Sequence, residues 1–334
     1  PRQEFNALAS SIADTAARSL PLISASAGFT YRYNPTIEAF ERTSDTLGPL
    51  FLERPDTLGK GKFNVNVSYQ YVQFDAFDGH DLGRLEGRNP VVVQLVAGVD
   101  PVGAEATRLR YRIGIHSHVA AFSLTYGIFD NLDVNVLVPV IATSLRVGVR
   151  SQQVATSDSV AGPFTAEGGP AVNGATRGNA VGIGDILVRA KYQLPRWENL
   201  RSALGLQMRL PSGRTADFQG TGAVEVSPFF YASTRCWDRV EPHANVGIDY
   251  NTESVSRSAV RYGVGVDVDA HPRVGLSLGF LGRSELGGGT SNTRFQHLQA
   301  DGSVQREPLL GLDFSRKDAF DLSFGARMVV WRNL

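Results

Sequence analysis

The sequence predicts an all-β chain: a transmembrane antiparallel β-barrel, about 12–14 strands when complete, with an N-terminal helical or irregular plug. Three observations predict it. From Phe63 onward, apolar and polar residues alternate with a period of two, the mark of strands with one greasy face. The alternating stretches are long, as at 107–128, 131–149 and 239–250. Soluble strands cluster at about 5–6 residues, whereas tilted membrane strands need about 9–11. Finally, short and Gly/Ser-rich long connections take turns along the chain, the asymmetry of short turns on one side of a membrane and long loops on the other.

Composition bounds the partners. The 334 residues carry 33 basic and 33 acidic side chains and are 42% hydrophobic. The even charge argues against a nucleic-acid partner, which needs a basic excess or a basic face. The apolar content is too high for disorder. A single cysteine, Cys236, leaves no intrachain disulfide and no multi-cysteine metal site. No apolar run approaches the ~20 residues of a membrane helix, which excludes helical membrane proteins and leaves barrels open.

In chain order, residues 4–20 read as a helix, with Phe5, Leu8, Ile12, Ala16 and Leu20 at helical spacing. Residues 21–61 are broken by Asn34-Pro35, Gly48-Pro49, Arg54-Pro55 and Gly59-Lys60-Gly61. Residues 1–61 are thus the expected plug and 62–334 the barrel. Strong alternation follows at 63–71, 185–194, 239–250 and 260–269, and weaker alternation at 107–128, 131–149, 200–210, 222–234, 273–283, 309–315 and 319–331. Short turns are expected at Phe129-Asp130-Asn131, 195–199, Cys236-Trp237-Asp238, His271-Pro272 and Ser315-Arg316-Lys317. Long connections are expected at 77–106, 150–182, 211–221, 251–257 and 285–306. Aromatics such as Phe63, Tyr126, Phe129, Tyr192, Trp197, Tyr250 and Phe320 gather near strand ends, as girdles do. The odd strand count and the final Trp331-Arg332-Asn333-Leu334, without a terminal aromatic, suggest a chain that stops before its closing strand. No signal segment precedes Pro1, consistent with one cleaved or lying upstream.

Several stretches carry a resemblance: TLGKGKFNVNVSYQYVQFDAFDGHDL (57–82), FSLTYGIFDNLDVNVLVPV (122–140), GIGDILVRAKYQL (182–194) and LPSGRTADFQGTG (210–222). Together they resemble the outer-membrane family linked to aromatic-hydrocarbon (phenol meta-pathway) degradation, related to fatty-acid transporters of the FadL type. The resemblance implies a monomeric channel, integral to the bacterial outer membrane. Its partners would be lipid and lipopolysaccharide, and it would pass hydrophobic small molecules. Asn34-Pro35-Thr36 stands where such transporters carry an Asn-Pro-Ala element in the hatch, with a different third residue.

Arg108, Arg110 and Arg112 share one strand face, continued by His116 and His118. If that face is luminal, two readings stay open. It could steer an anionic headgroup, or pair across the lumen with Glu225, Glu241, Asp249, Asp267 and Asp269. Arg189, Lys191, Arg201 and Arg209 join the inward charges by phase, and His243 shares its face with Glu241 and Asn245. Leu187, Phe229, Tyr231 and Leu281 interrupt otherwise polar faces, as greasy patches for a ligand or as packing for the plug. Pro139 and Pro228 fall within strands and mark breaks in the ladder, a possible side exit.

Catalysis is not expected. Ser117 faces away from His116 and His118, no serine follows His243 in a nucleophile elbow, and the His116/His118 pair lacks a third metal ligand. No cofactor is expected either. The reading is passive uptake of a hydrophobic or amphipathic small molecule. A structural or adhesive barrel, a general porin and a soluble two-layer β-protein are its rivals.

Overall fold

The computed structural model describes residues 29–34, 39–42, 52–77, 80–88, 92–93, 104–157, 171–236, 239–253, 255, 258–271, 274–287, 294–298, 304–308 and 318–328. The expected helix over 4–20 and the expected strand over 309–315 lie outside them.

The described residues are all-β. Strands β1 (Phe29–Asn34) and β2 (Ala39–Arg42) come first, then the long β3 (Lys62–Phe74). Short pieces follow as β4 (Ala76–Phe77), β5 (His80–Asp81), β6 (Leu85–Arg88) and β7 (Val92–Val93). Next are β8 (Ala104–Phe129) and β9 (Leu132–Ser157), 26 residues each. The sheet continues through β10 (Ala171–Ile183), β11 (Ile186–Gln193), β12 (Leu200–Leu210) and β13 (Glu225–Thr234). Then come β14 (Val240–Asn251), β15 (Ala259–His271) and β16 (Val274–Glu285). A separate hairpin, β17 (Arg294–Leu298) and β18 (Val304–Pro308), precedes β19 (Asp318–Met328).

Every pairing is antiparallel, and the hydrogen-bonded path runs β19-β16-β15-β14-β13-β12-β11-β9-β8-β3-β1-β2. It curls into a half-barrel whose ends, among the described residues, are β19 and β2. The fold corrects one expectation. Residues 29–34, expected in a plug, extend the sheet by pairing with the start of β3, from Phe29 opposite Val65 to Arg32 opposite Lys62.

The connections at one end are short: 130–131, 194–199, 235–239 and 272–273. At the other end they are long. One long connection was overestimated, however, because much of 150–182 is strand. Residues 171–183 hold thirteen consecutive registers against β9. Gly174, Gly178, Gly182 and small polar neighbours deprive that stretch of apolar alternation, so only the partner strand reveals it.

The polarity of the sheet is inverted. Val67 is 63% exposed and Phe324 72%, with Leu204, Phe230, Val246, Ile248 and Val264 also bare. Asp249, Asp267, Glu225, Glu241 and Lys191 are buried on the opposite, concave face. A soluble sandwich would cover that apolar face with a second layer. No second layer lies there among the described residues. An apolar outside around a polar interior is the arrangement of an outer-membrane β-barrel.

That inversion stops partway up β8 and β9. Near the short turns, Phe122, Leu124, Tyr126 and Val136 face out while Ser123, Thr125 and Asn135 are buried. Toward the long loops, Ile113, Ile115 and Val147 turn inward onto Leu82 and Phe218. There Arg110, Arg112, Arg146 and Arg150 stand exposed. Register is continuous between these levels, so the side-chain faces have not switched; the surroundings have.

Candidate functional site

Residues 52–61 form a strap across the concave face. Leu52 seats against glycines of β15 and β16. A Cβ at Gly263 would meet Leu52 Cδ2 at 2.6 Å, and one at Gly265 would meet Leu52 Cδ1 at 2.8 Å. At the far end, a Cβ on Gly127 would lie 2.0 Å from the Gly59 carbonyl oxygen. Gly61 N–H donates to the Gly127 carbonyl at 2.9 Å. Only glycine permits either approach.

Between these anchors the strap is held by charge. Arg54 Nη2 donates to Asp267 Oδ2 at 2.6 Å, and Arg54 Nη1 lies 3.5 Å from Glu241 Oε2. Burial alone would lower the Arg54 pKa, but Glu241 and Asp267 outweigh it and raise the group above its ordinary value. Arg201 bridges Asp56 and Glu241, at 2.5 Å to each. Glu53 meets Lys191 at 3.5 Å and Arg189 at 3.9 Å. Lys191 Nζ also donates to the Arg54 carbonyl at 3.1 Å. The Asn245 amide, turned to satisfy both, brackets the Glu53 backbone, 2.8 Å from its N–H and 2.9 Å from its carbonyl. Near the short turns, Thr57 Oγ1 donates to the Asp130 carbonyl at 2.7 Å and Leu58 N–H to Asp133 Oδ2 at 3.2 Å.

Beside the strap lies a cavity of about 120 Å³ with Leu52 and Glu53 at one wall. Phe229 and Tyr231 stack within it, centroids 5.7 Å apart and planes 11° from parallel. Each ring lies over a glycine of a neighbouring strand. A Cβ on Gly247 would meet Phe229 Cδ1 at 2.2 Å, and one on Gly205 would meet Tyr231 Cε2 at 2.5 Å. The Arg261 guanidinium sits 4.7 Å from the Phe229 ring centre. Arg261 is held by Asp249 at 2.7 Å, and Ser227 Oγ donates to the same carboxylate at 2.6 Å. Arg189 Nε donates to Gln207 Oε1 at 2.9 Å, and Leu281 completes the greasy side. The cavity thus combines an aromatic surface with three restrained cations, Arg189, Lys191 and Arg261, and the carboxylates of Glu53 and Asp133.

The structure brings together five of the residues singled out from sequence: Arg189, Lys191, Phe229, Tyr231 and Leu281. Leu187 also points inward, fully buried with Ala121 and Leu137. Glu225 pairs with Arg209 at 3.1 Å. His243 is buried 3.9 Å from Asp267, over Gly265. Asn34 ends β1 opposite Ala39, and Pro35 lies outside the described residues.

The arginine ladder is a correction. Arg110 and Arg112 are exposed and share the outward parity of Phe122 and Leu124. Arg108 has the same parity in β8, opposite Gln152 of β9 and Arg88 of β6. Both luminal readings were conditional on that face looking inward, and it looks outward. His116 and His118 are outward too, and each meets a tyrosine: Tyr71 OH lies 2.9 Å from His116 Nδ1, and Tyr69 OH 2.7 Å from His118 Nδ1. No group of three or more metal-ligating side chains occurs among the described residues.

Each proline keeps one ladder and interrupts the other. Pro139 keeps its register with Ala121 of β8, and its carbonyl accepts from Gly184 N–H at 2.8 Å, while toward β10 and β11 the pairing lapses at Val138 and Pro139. Pro228 keeps its register with Leu206 of β12. Toward β14 the pairing lapses at Ser227 and Pro228 and resumes at Phe229 opposite Gly247.

Sequence reasoning missed Leu52, Glu53, Arg54 and Asn245 as site residues. The strap has no periodicity, and its partners lie far along the chain, 213 positions for Arg54 and Asp267. Arg261 was legible, standing on the charged face of an alternating strand.

Residues 98–333 match a protein family described as "Putative MetA-pathway of phenol degradation". The chain belongs to this family. No curated protein matches the chain. Among solved structures it is similar to one titled "Bacterial polysaccharide outer membrane secretin". That likeness has 10% identity and a TM-score of 0.31 over 74% of this chain and 97% of the other, too loose to argue from. The match to the phenol-degradation family covers the sheet from β8 to β19, including every strand that lines the cavity.

Proposed function

We propose that the protein is an integral, monomeric outer-membrane channel for passive uptake of small hydrophobic or amphipathic molecules, single-ring aromatics first among them. The observation that carries the reading is the stacked Phe229/Tyr231 pair inside an otherwise polar concavity, flanked by Arg189 and Arg261. Polar lipopolysaccharide slows apolar solutes, so a greasy patch within a protected route offers them a step across. A cavity of about 120 Å³ is close to the about 150 Å³ that accommodates benzene in an engineered protein core. The arginines suit a phenolate or carboxylate at the ring's edge. The phenol-degradation family description supports an aromatic cargo. The chain acts here as a conduit, with no catalytic step and no cofactor.

The test is uptake of a labelled monophenol into vesicles carrying the protein. Saturable uptake is expected, and Phe229→Ala with Tyr231→Ala should lower it about tenfold, the scale of a lost aromatic pair, while ion conductance persists. Non-saturable uptake that ignores both substitutions would instead favour the general porin.

A further inference from the structure

Above the apolar band, the outward face carries arginines in register across three strands. Paired positions on β3, β8, β9 and β10 define level rows. One row is Tyr71, His118, Ala142 and Val181. The next is Gln73, His116, Ser144 and Asn179, polar on all four strands. One row higher, Arg146 faces Arg177. Arg112 follows, and then Arg110 opposite Arg150. From Tyr126 to His116, β8 covers about 26 Å of height at about 3.4 Å per residue and a tilt of about 40°, against an apolar band of about 25 Å. The arginines therefore begin where the acyl chains end.

Like charges directly opposite on neighbouring strands repel. Arg112, Arg146, Arg150 and Arg177 are exposed, and no ion pair to them forms among the described residues. Asp75, near this level, accepts from Gln73 Nε2 at 2.6 Å, and Glu86 stands in backbone register with Arg110 rather than with the Arg146/Arg177 row. An anion between these arginines would turn repulsion into bidentate attraction.

We propose that this surface binds the phosphates of lipid A in the outer leaflet, with Arg146 and Arg177 as the primary clamp and Arg112 and Arg150 behind it. The phosphates lie at the headgroup level, directly above hydrocarbon, and the acyl chains of the same molecule meet Val181, Ile183, Phe122 and Val136 below, all exposed. A soluble phosphate compound has no use for that continuous apolar wall, which is why the lipid is the source chosen. The inference rests on the outer-membrane reading but not on the identity of any transported molecule.

The experiment places the chain in phosphocholine vesicles, alone or doped with bisphosphorylated lipid A or its dephosphorylated form. Bound lipid is counted by native mass spectrometry and folding by heat-modifiable gel migration. Bisphosphorylated lipid A should be retained, and Arg146→Gln with Arg177→Gln should weaken it about tenfold. Arg146→Lys with Arg177→Lys should keep most of the affinity, and Arg196→Gln, at the short-turn end, all of it. Retention should also fall as salt rises. Equal retention of the dephosphorylated lipid, or a fully folded Gln double variant that binds as the parent does, would overturn the proposal. So would inorganic phosphate binding as tightly as the lipid. Failure to insert into any vesicle would sink the outer-membrane reading itself; insertion without lipid A preference sinks this inference alone.

Discussion

The two halves of the β8–β9 hairpin share strands, register and alternation, yet solve opposite problems. In the half near the short turns, Phe122, Leu124 and Val136 face out and Ser123, Thr125 and Asn135 face in. Asn135 Nδ2 donates to Ser123 Oγ at 2.7 Å and to Thr125 Oγ1 at 2.8 Å, polar contacts made within the hairpin itself. In the other half, Ile113, Ile115 and Val147 pack inward on Leu82 and Phe218, and arginines face out. The lower half bares apolar side chains and the upper half bares charge. Alternation marks which residues share a face; what lies beyond the face decides which set is hidden.

The contrast can be broken by substitution. The largest effect is expected from Ile115→Ala, which empties the centre of the upper core and should cost about 2–5 kcal/mol in denaturant unfolding from vesicles. Val136→Arg places a charge against acyl chains and should cost about 2–4 kcal/mol, read the same way. Arg54→Gln leaves Glu241 and Asp267 facing each other and should cost about 1–3 kcal/mol, toward the low end because Arg54 is partly wetted. Its sharper readout is a rise in single-channel conductance as the strap loosens. Arg150→Val, the reverse of the lipid-face swap, should change stability by less than about 0.5 kcal/mol without lipid A. If Val136→Arg and Arg150→Val proved equally mild, the division between a lipid-facing and a water-facing half would fail.

The strap teaches a related lesson about glycine. Gly263 and Gly265 interrupt an alternating strand and read, in isolation, as weak points. In three dimensions they are the seat of Leu52, and replacing Gly263 with valine should displace the strap without touching any charge. Gly205 and Gly247 serve Tyr231 and Phe229 in the same way. Nothing local distinguishes such a glycine from one that merely loosens a strand.

Much of the fold was legible in advance. Residues 63–71, 185–194, 239–250 and 260–269 show the faces their alternation implied, with Val65, Val188, Val246 and Val264 bare and Lys191, Glu241 and Asp267 hidden. The cavity was legible in part, since Phe229, Tyr231 and Leu281 stood out as apolar intruders on polar faces. Strand β10 was not, because its small residues carry no periodic signal.

By itself the sequence determined that long two-faced strands exist, where they turn, and to which family they belong. Those are local properties, set by backbone periodicity and turn chemistry over a few residues. Only the tertiary structure decided that the arginines of β8 look outward, that residues 52–61 cross the concave face, and that two rings and two guanidiniums share one cavity. Those outcomes depend on partners on other strands, often far along the chain, and on the medium each face meets, and neither is encoded in the spacing of neighbours.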